Sequence, residues 1–240
     1  MSIAELKEII NKYDNIVFFG GAGVSTESNI PDFRSANGLY NESTKSHYSP
    51  EEILSHSFFI NHTKAFYEFY RDKMIYKDAE PNAAHLVLAE LERRKKLKAV
   101  ITQNIDGLHQ KAGNEEVVEL HGSIHRNYCM ECNKFFPLDY IISSTDIPRC
   151  DVCGHIVKPD VVLYEEELDS NVLRRAISFI EKAEVLIVGG TSLTVYPAAG
   201  LLRYYSGEKL ILINKSATQY DSRADLVIYD KIGETLKQVL

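Results

Sequence analysis

No stretch of the 240 residues stays apolar for the roughly 18 positions that a membrane span requires. Nor is there a basic excess. Lys and Arg number 27 against 34 Asp and Glu, a net charge of -7, which argues against a nucleic-acid backbone as partner, since that surface selects a basic face. Met1-Ser-Ile-Ala-Glu-Leu-Lys-Glu-Ile-Ile10 lacks a secretory-signal layout because Glu5 and Glu8 interrupt its apolar residues. A cytoplasmic chain with no membrane partner is therefore expected. Internal repeats and low-complexity tracts are absent as well. What remains is an ordinary globular composition, 45% hydrophobic, which suits one large domain with a small appendage. The acidic balance favours a cationic peptide over a polyanion as partner, although it also serves plain solubility.

Ile3, Leu6, Ile9 and Ile10 recur at the spacing of an amphipathic helix, with Ser2 as its N-cap. Apolar runs at 15–19, 97–102, 185–189, 209–213 and 225–229 read as strands, and 82–95, 170–182, 197–205 and 232–240 as helices. Their alternation predicts an α/β fold, a Rossmann-like, mainly parallel sheet with helices on both faces. Residues 1–34, 81–124 and 159–240 are expected to build this domain. Two segments break the alternation. Residues 35–80, rich in His, Tyr, Phe and Ser, predict a helical or loop insertion, and residues 125–158, which hold all four cysteines, predict a small zinc-binding module.

In open α/β sheets ligands bind beyond the carboxyl ends of the strands, and the informative loops here follow strands. After the first comes Gly20-Gly-Ala-Gly-Val-Ser-Thr26, in which Gly21 and Gly23 fill two places of the fingerprint G-x-G-x-x-G but Thr26 stands in the third. A tight turn and close backbone approach to a pyrophosphate are thus provided for; packing of a following helix on the sheet is not. Thr102-Gln-Asn-Ile-Asp106 sets two amides and a carboxylate at a strand end, a set suited to hydroxyls and carboxamides, and equally to a capped turn. His121 ends the short apolar segment Val117-Val-Glu-Leu120, and histidine is the usual general base near neutral pH. Gly189-Gly-Thr-Ser-Leu193 has the glycines and hydroxyls of a phosphate cradle. Asn214 ends the fourth strand, a place from which a ribose or base is read.

Cys129-Met-Glu-Cys132 and Cys150-Asp-Val-Cys153 are two C-x-x-C knuckles separated by 17 residues, the pattern with which four thiolates hold one tetrahedral zinc. Disulfides are the alternative, disfavoured in a cytoplasmic chain. Four thiolates complete the tetrahedron without His125 or His155, and a closed site leaves no position for a catalytic water. Zinc-hydrolase chemistry is set aside accordingly.

Taken in order, these motifs resemble the sirtuin, or Sir2-like, family of NAD-consuming protein lysine deacylases. The likeness rests on Gly21-Ala-Gly-Val-Ser25 with Ile30-Pro-Asp-Phe-Arg34, on Thr102–Asp106, His121-Gly122, both cysteine pairs, Gly190-Thr-Ser192 and Ile213-Asn214, and it covers nearly the whole chain. It implies a deacetylase or deacylase that uses NAD as co-substrate, holds one structural Zn2+, and acts as a monomer on an acylated-lysine protein or peptide. It also implies roles. Gly21, Ala22, Gly23, Ser25 and Thr26 lie along NAD, with Asp32, Phe33 and Arg34 on the loop that closes over it. Asp106 and the Ile30 backbone hold the nicotinamide carboxamide, Asn104, Ile105 and Ser25 line that inner pocket, and Gln103 bonds the nicotinamide ribose. Gly190, Thr191, Ser192, Asn214, Lys231 and Ile232 meet the adenosine end. Catalysis falls to His121 and Asn104. The peptide lies as an added strand between Val162, Leu163, Tyr164, Glu165 and Glu166 on one side and Thr194, Val195 and Tyr196 on the other. In the implied reaction the acyl oxygen attacks the ribose C1′ and nicotinamide leaves. His121 then takes a proton from a ribose hydroxyl, and water completes the release of lysine and O-acyl-ADP-ribose.

Two departures from the family pattern carry expectations. Tyr164-Glu165-Glu166 stands where the family has Phe-Gly-Glu, so Glu165 to Glu167 predict a preference for peptides with Lys or Arg near the acylated residue. Tyr67 and Tyr70 stand where desuccinylating members carry Tyr-x-x-Arg, ahead of Pro81-Asn-Ala-Ala-His85. Tyr70 lacks the guanidinium fork a carboxylate prefers, and Arg71 lies about 100° round the helix, so acetyl or other neutral acyl groups are expected. Protein mono-ADP-ribosyl transfer at the same NAD site is the alternative activity. A dehydrogenase would need the full glycine fingerprint and an acidic residue about 20 positions further on; Glu42 is there, but no strand leads to it. A zinc-ribbon nucleic-acid binder conflicts with the acidic balance.

Overall fold

The computed structural model describes residues 2–33, 35, 38–41 and 48–240; Arg34 and Glu42 lie outside them. Among the described residues there are nine strands. In chain order they are β1 (Ile16–Gly20), β2 (Leu97–Thr102), β3 (Val117–Glu119), β4 (Gly122–Cys129), β5 (Phe135–Pro137), β6 (Val157–Val161), β7 (Val185–Gly189), β8 (Lys209–Ile213) and β9 (Leu226–Ile228). Six of them form a parallel sheet in the order β3-β2-β1-β7-β8-β9. Strand order runs outwards in both directions from β1, so a crevice opens between β1 and β7, the switch point where such sheets take their ligands. All five predicted strands are present. β3 was read only as a short apolar segment, because three residues are too few to show a period.

A parallel sheet covered on both faces needs apolar side chains pointing both ways, hence continuous runs rather than alternation. Phe18, Val100, Ile187 and Ile211 pack with Leu6, Ile10, Leu88, Leu91 and Leu236 on one face. Val17, Phe19, Ile101, Leu186 and Val188 pack with Ala176, Ile180, Leu201 and Leu202 on the other. Helices Ser2–Lys12, Ala83–Arg93 and Ile232–Leu236 supply the first cover, helix Ser170–Lys182 and the 3-10 helix Ala198–Tyr204 the second. Two predicted helices are thereby corrected. The run at 197–205 winds as a 3-10 helix with Gly200 in its middle, where an α-helix is weakened. The run at 232–240 is α-helical only to Leu236; tighter bonds from Gln238 to Thr235 (3.2 Å) and from Val239 to Leu236 (3.1 Å) then turn Val239 into the core.

Among its described residues the insertion contains three α-helices, Pro50–Ile53, His56–Asn61 and Thr63–Lys73, and the 3-10 turn Leu39–Asn41. β4, β5 and β6 make a small antiparallel sheet ordered β5-β4-β6. These two parts share one core. Phe58, Phe59, Phe66, Tyr67 and Tyr70 from the helices pack with Ile124, Phe136, Ile141, Cys150 and Val157 from the cysteine-bearing part. The Tyr67 hydroxyl donates to the Val157 carbonyl and stitches them further.

β4 starts at Gly122, where φ is 73° and an added Cβ would stand 1.5 Å from the Asp160 carbonyl oxygen of β6. Only glycine fits both constraints. Gly122→Ala should therefore cost about 3 kcal/mol or more, lowering Tm by about 6 °C or more for a chain of this length. A Tm within about 2 °C of the parent would contradict the close pairing of β4 with β6.

Candidate active site

The parallel strands end at one level. Gly20 stands opposite both Thr102 and Gly189, Gly189 opposite Ile213, and Thr102 opposite Glu119. Main-chain bonds carry the alignment past the strand ends: Gln103 N–H to the Gly20 carbonyl (3.0 Å), Leu120 N–H to Thr102 (2.9 Å) and Gly190 N–H to Ile213 (3.1 Å). The loops that leave here floor a cavity of about 580 Å³.

The glycine turn is built differently from a dehydrogenase fingerprint. Gly23 donates its N–H to the Gly190 carbonyl at 2.8 Å, and a Cβ on Gly23 would lie 2.8 Å from the Gly190 Cα. Its close backbone approach is to the neighbouring loop. Two single 3-10 turns, Ala22–Val24 and Thr26–Ser28, follow and end at Asn29 in the left-handed conformation, so a third glycine for helix packing has no purpose. Thr26 instead donates its hydroxyl to the Gly23 carbonyl at 3.0 Å. From behind, Asn82 Nδ2 donates to the Val24 carbonyl (2.8 Å) and to Ser28 Oγ (3.0 Å), while His85 Nδ1 accepts the Asn82 N–H (3.2 Å). Sequence reading used this Pro81–His85 segment only as a landmark.

Thr102–Asp106 wraps the turn from the other side. Asn104 Nδ2 donates to Ser25 Oγ (3.0 Å), which donates to Asp106 Oδ2 (2.7 Å); Asp106 Oδ1 accepts the Leu108 N–H (2.9 Å). Burial raises the Asp106 pKa above the ordinary carboxylate range, and the Ser25 hydroxyl and Leu108 N–H hold the rise back. Gln103 Nε2 donates to Thr191 Oγ1 (3.0 Å), and Asn214 Oδ1 accepts the Thr191 N–H (2.9 Å). Asn214 Nδ2 is buried without a partner among the described residues.

His121 Nδ1 lies 3.0 Å from the Gln103 carbonyl. A carbonyl oxygen only accepts, so Nδ1 carries the proton and Nε2 keeps its lone pair. Burial lowers the His121 pKa below its ordinary 6.5, with the Gln103 carbonyl opposing. The ring is thus a neutral base at the cavity wall.

The predicted residues converge on this cavity. Gly21 to Gly23, Ser25, Thr26, Ile30, Asp32 and Phe33 line it, as do Gln103 to Asp106 and His121. So do Gly190 to Ser192, Asn214, Lys231 and Ile232, and from the expected peptide path Val162 to Glu166, Val195 and Tyr196. Thr194 is the exception; its hydroxyl pairs with Ser192 at 2.8 Å. Arg34 lies outside the described residues. The sequence missed Leu54, Met74, Tyr76, Leu168 and the run 215–218, which also line the cavity but carry no motif.

Two sets of residues singled out for selectivity have other neighbours in the structure. Glu166 is bound by His56 Nδ1 (2.8 Å), Lys158 Nζ (3.0 Å) and the Leu163 N–H (2.9 Å), and Glu165 by Ser57. Both carboxylates hold protein to protein, which leaves only Glu167 to attract a basic peptide in the manner expected. Tyr67 and Tyr70 are fully buried in the third core and do not line the cavity. The helix end that does reach it contributes Lys73 and Met74.

Away from the cavity, the Sγ atoms of Cys129, Cys132, Cys150 and Cys153 lie within 4.8 Å of one another, with the shortest separations at 3.3 and 3.5 Å, and none is in a disulfide. The group could hold a metal ion. His125 is not part of it: its Nε2 lies 3.1 Å from the Asp106 carbonyl.

The Sir2 family model matches residues 21–197. The NAD-dependent protein deacetylase of Clostridium acetobutylicum is 65% identical over 239 residues, 99% of this chain and 98% of the relative. That of Clostridium tetani is 63% identical, over 96% and 94%. A solved Sir2 structure with deacetylated p53 peptide and 3′-O-acetyl ADP ribose superposes with a TM-score of 0.91 at 38% identity, covering 100% of this chain and 97% of that one. One with p53 peptide and NAD+ gives 0.86 at 38%, over 100% and 97%.

The support behind the turn makes stability pH-dependent. His85 and His109 are buried with ring centroids 4.7 Å apart, and burial lowers His85 to about 4 and His109 well below 6.5. Both stay neutral in the fold, while the unfolded chain protonates them near 6.5, so the unfolded state binds more protons below that pH. The urea midpoint should therefore fall as pH drops from 6.5 towards 4. His109→Phe, which cannot titrate, should flatten the fall; an unchanged slope would contradict this origin.

Proposed function

Since the chain belongs to the Sir2 family, we propose a division of labour among the residues that line its cavity. The enzyme is an NAD-dependent protein deacetylase, which moves the acyl group of an acyl-lysine to ADP-ribose and releases nicotinamide. His121 is the general base, and the observation that carries this is its 3.0 Å bond to the Gln103 carbonyl, which leaves Nε2 as the proton acceptor. Its target is a ribose hydroxyl. Lowered by burial, its pKa keeps that acceptor free at neutral pH.

The remaining residues fit NAD as co-substrate. Asp106 is held in place by Ser25 and Leu108, and its carboxylate accepts from the nicotinamide carboxamide, beside Ile30 and Ile105. Asn104, bonded to Ser25, fixes that pocket wall. Gln103, turned by Thr191, presents its side-chain oxygen to the nicotinamide ribose. The turn from Gly21 to Thr26 and the Gly190–Ser192 loop carry the diphosphate. Asn214 Nδ2, buried without a partner among the described residues, suits an acceptor on the adenosine, next to Lys231 and Ile232. Phe33 closes over the sugar, and Asp32 braces the closing loop by accepting the Ser35 N–H at 2.8 Å.

The acyl-lysine peptide runs between the Val162–Glu166 and Thr194–Tyr196 segments as an added strand. No arginine lines the cavity among the described residues, which supports acetyl and other neutral acyl groups over succinyl. The four cysteines would hold one structural Zn2+: their separations of 3.3 and 3.5 Å approach the roughly 3.8 Å edge of a tetrahedral tetrathiolate site. It would tie the end of β4 and the turn after it, with Cys129 and Cys132, to the segment before β6, with Cys150 and Cys153, and take no part in the reaction. No described helix is long and apolar enough to cross a membrane.

Mass spectrometry of products from NAD and a panel of acyl-peptides tests the catalytic reading. Acetyl-peptide should yield free lysine and O-acetyl-ADP-ribose, succinyl-peptide at least about tenfold less, and His121→Ala should lose about 100-fold or more in kcat/KM. For the parent, kcat/KM should rise with pH along a limb centred below 6.5. Full turnover by His121→Ala, or a limb above 6.5, would displace His121 as the base. Metal analysis of the purified protein should find one zinc per chain; none, in fully folded protein, would remove the metal from the account.

A further inference from the structure

The segment Leu163–Glu166 has one edge already occupied. Tyr164 donates its N–H to the Leu54 carbonyl (3.0 Å) and accepts the His56 N–H (2.9 Å), a parallel bridge to Ser55. Its other side borders the cavity. Immediately after this bridge, Glu165 has φ 76°, a conformation that glycine adopts freely and that a long side chain resists. Something must offset that resistance. Glu165 Oε2 accepts the Ser57 N–H at 2.8 Å and the Ser57 hydroxyl at 2.6 Å, short charge-assisted bonds to the first turn of helix His56–Asn61. The Ser57 hydroxyl and N–H in turn lower the Glu165 pKa, so the clasp is ionised at neutral pH.

We propose that Glu165 is a positioning residue for substrate: by clasping Ser57 it fixes Leu163–Glu166 as a ready-made strand edge for the acyl-lysine peptide. The inference rests on the reading that the peptide lies along that segment. Its carboxylate points to the insertion rather than to substrate, so it acts through the edge. A peptide that binds as a strand loses affinity to whatever ordering the edge must undergo at that moment, and a clasped edge is ordered beforehand. Glu166 cannot substitute, since His56, Lys158 and the Leu163 N–H already take it.

The signature is a split in the steady-state constants. Glu165→Gly, free of backbone strain, should raise KM for an acetyl-lysine peptide about fivefold, with kcat and the KM for NAD within about twofold. Glu165→Gln keeps an acceptor for Ser57 and should recover most of the loss. Ser57→Ala should give a smaller rise, and the Glu165→Gly/Ser57→Ala double variant should be no worse than Glu165→Gly alone, because both remove the same link. An unchanged peptide KM in Glu165→Gly, or additive effects in the double variant, would overturn the proposal. Acetyl-peptides N-methylated at one backbone position at a time separate it from its premise. If no methyl group raises the parent's KM, the peptide does not bind as a strand; if methylation weakens binding while Glu165→Gly does not, the clasp alone is refuted.

Discussion

Everything in the site depends on five strands stopping at the same level. Hydrogen-bond register in a parallel sheet is rigid, because slipping one residue turns every side chain to the wrong face. With Gly20, Thr102, Gly189 and Ile213 abreast, the loops that follow must emerge side by side. Gly23 can then reach the Gly190 carbonyl, and Gln103 can reach Thr191. The two cores on either face of the sheet fix the register, and the register fixes the chemistry.

Burial then sets the protonation states. The same loss of water that raises Asp106 lowers His121, since in each case the charged form is penalised. Bonding partners separate the outcomes. Asp106 has a hydroxyl and an N–H that donate to its carboxylate and hold back the rise that burial imposes. His121 has only a carbonyl, which fixes the tautomer and leaves a neutral ring. Buried histidines behind the glycine turn experience the same desolvation without a reactive role; what distinguishes His121 is the cavity on its free side.

Much of this was legible in the sequence, and the reasons are physical. Strands buried on both faces are continuous apolar runs, so five of six were visible; β3, with Val117–Glu119, was too short to show a pattern. Loops at strand ends carry glycines, amides and hydroxyls because geometry and ligand both demand them, so Gly21, Asn104, Asp106 and Asn214 could be picked out one by one. Spacing alone exposed the four cysteines. Partnership was not legible. Nothing in Glu165 or Glu166 reveals that each carboxylate faces inward to Ser57, His56 or Lys158, and helical alignment could not show that Tyr67 and Tyr70 point into a core while Lys73 reaches the cavity. Gly23 was read for its approach to a ligand, yet the backbone it approaches is Gly190.

The third core explains why such partnerships matter. Helices of the insertion and strands of the cysteine-bearing part are packed together, so they behave as one piece set beside the sheet. The links that cross from that piece to the strand-end loops include the Ile124 N–H to the Ile105 carbonyl (3.0 Å), His125 Nε2 to the Asp106 carbonyl (3.1 Å) and the Val162 N–H to the His121 carbonyl (3.0 Å), while the bridge from Tyr164 to Leu54 and His56 ties the 163–166 segment to the insertion. These links run through residues 121 to 125 and 162 to 166, which contain both the proposed base and one wall of the proposed peptide channel. A shift of the shared core relative to the sheet would therefore move base and peptide edge together and pull on the Thr102–Asp106 loop through Ile105, Asp106 and Gln103. In the proposed arrangement the peptide edge and the base are thus held by the same hydrogen-bonded seam, and the clasp of Glu165 on Ser57 fixes that edge to the insertion.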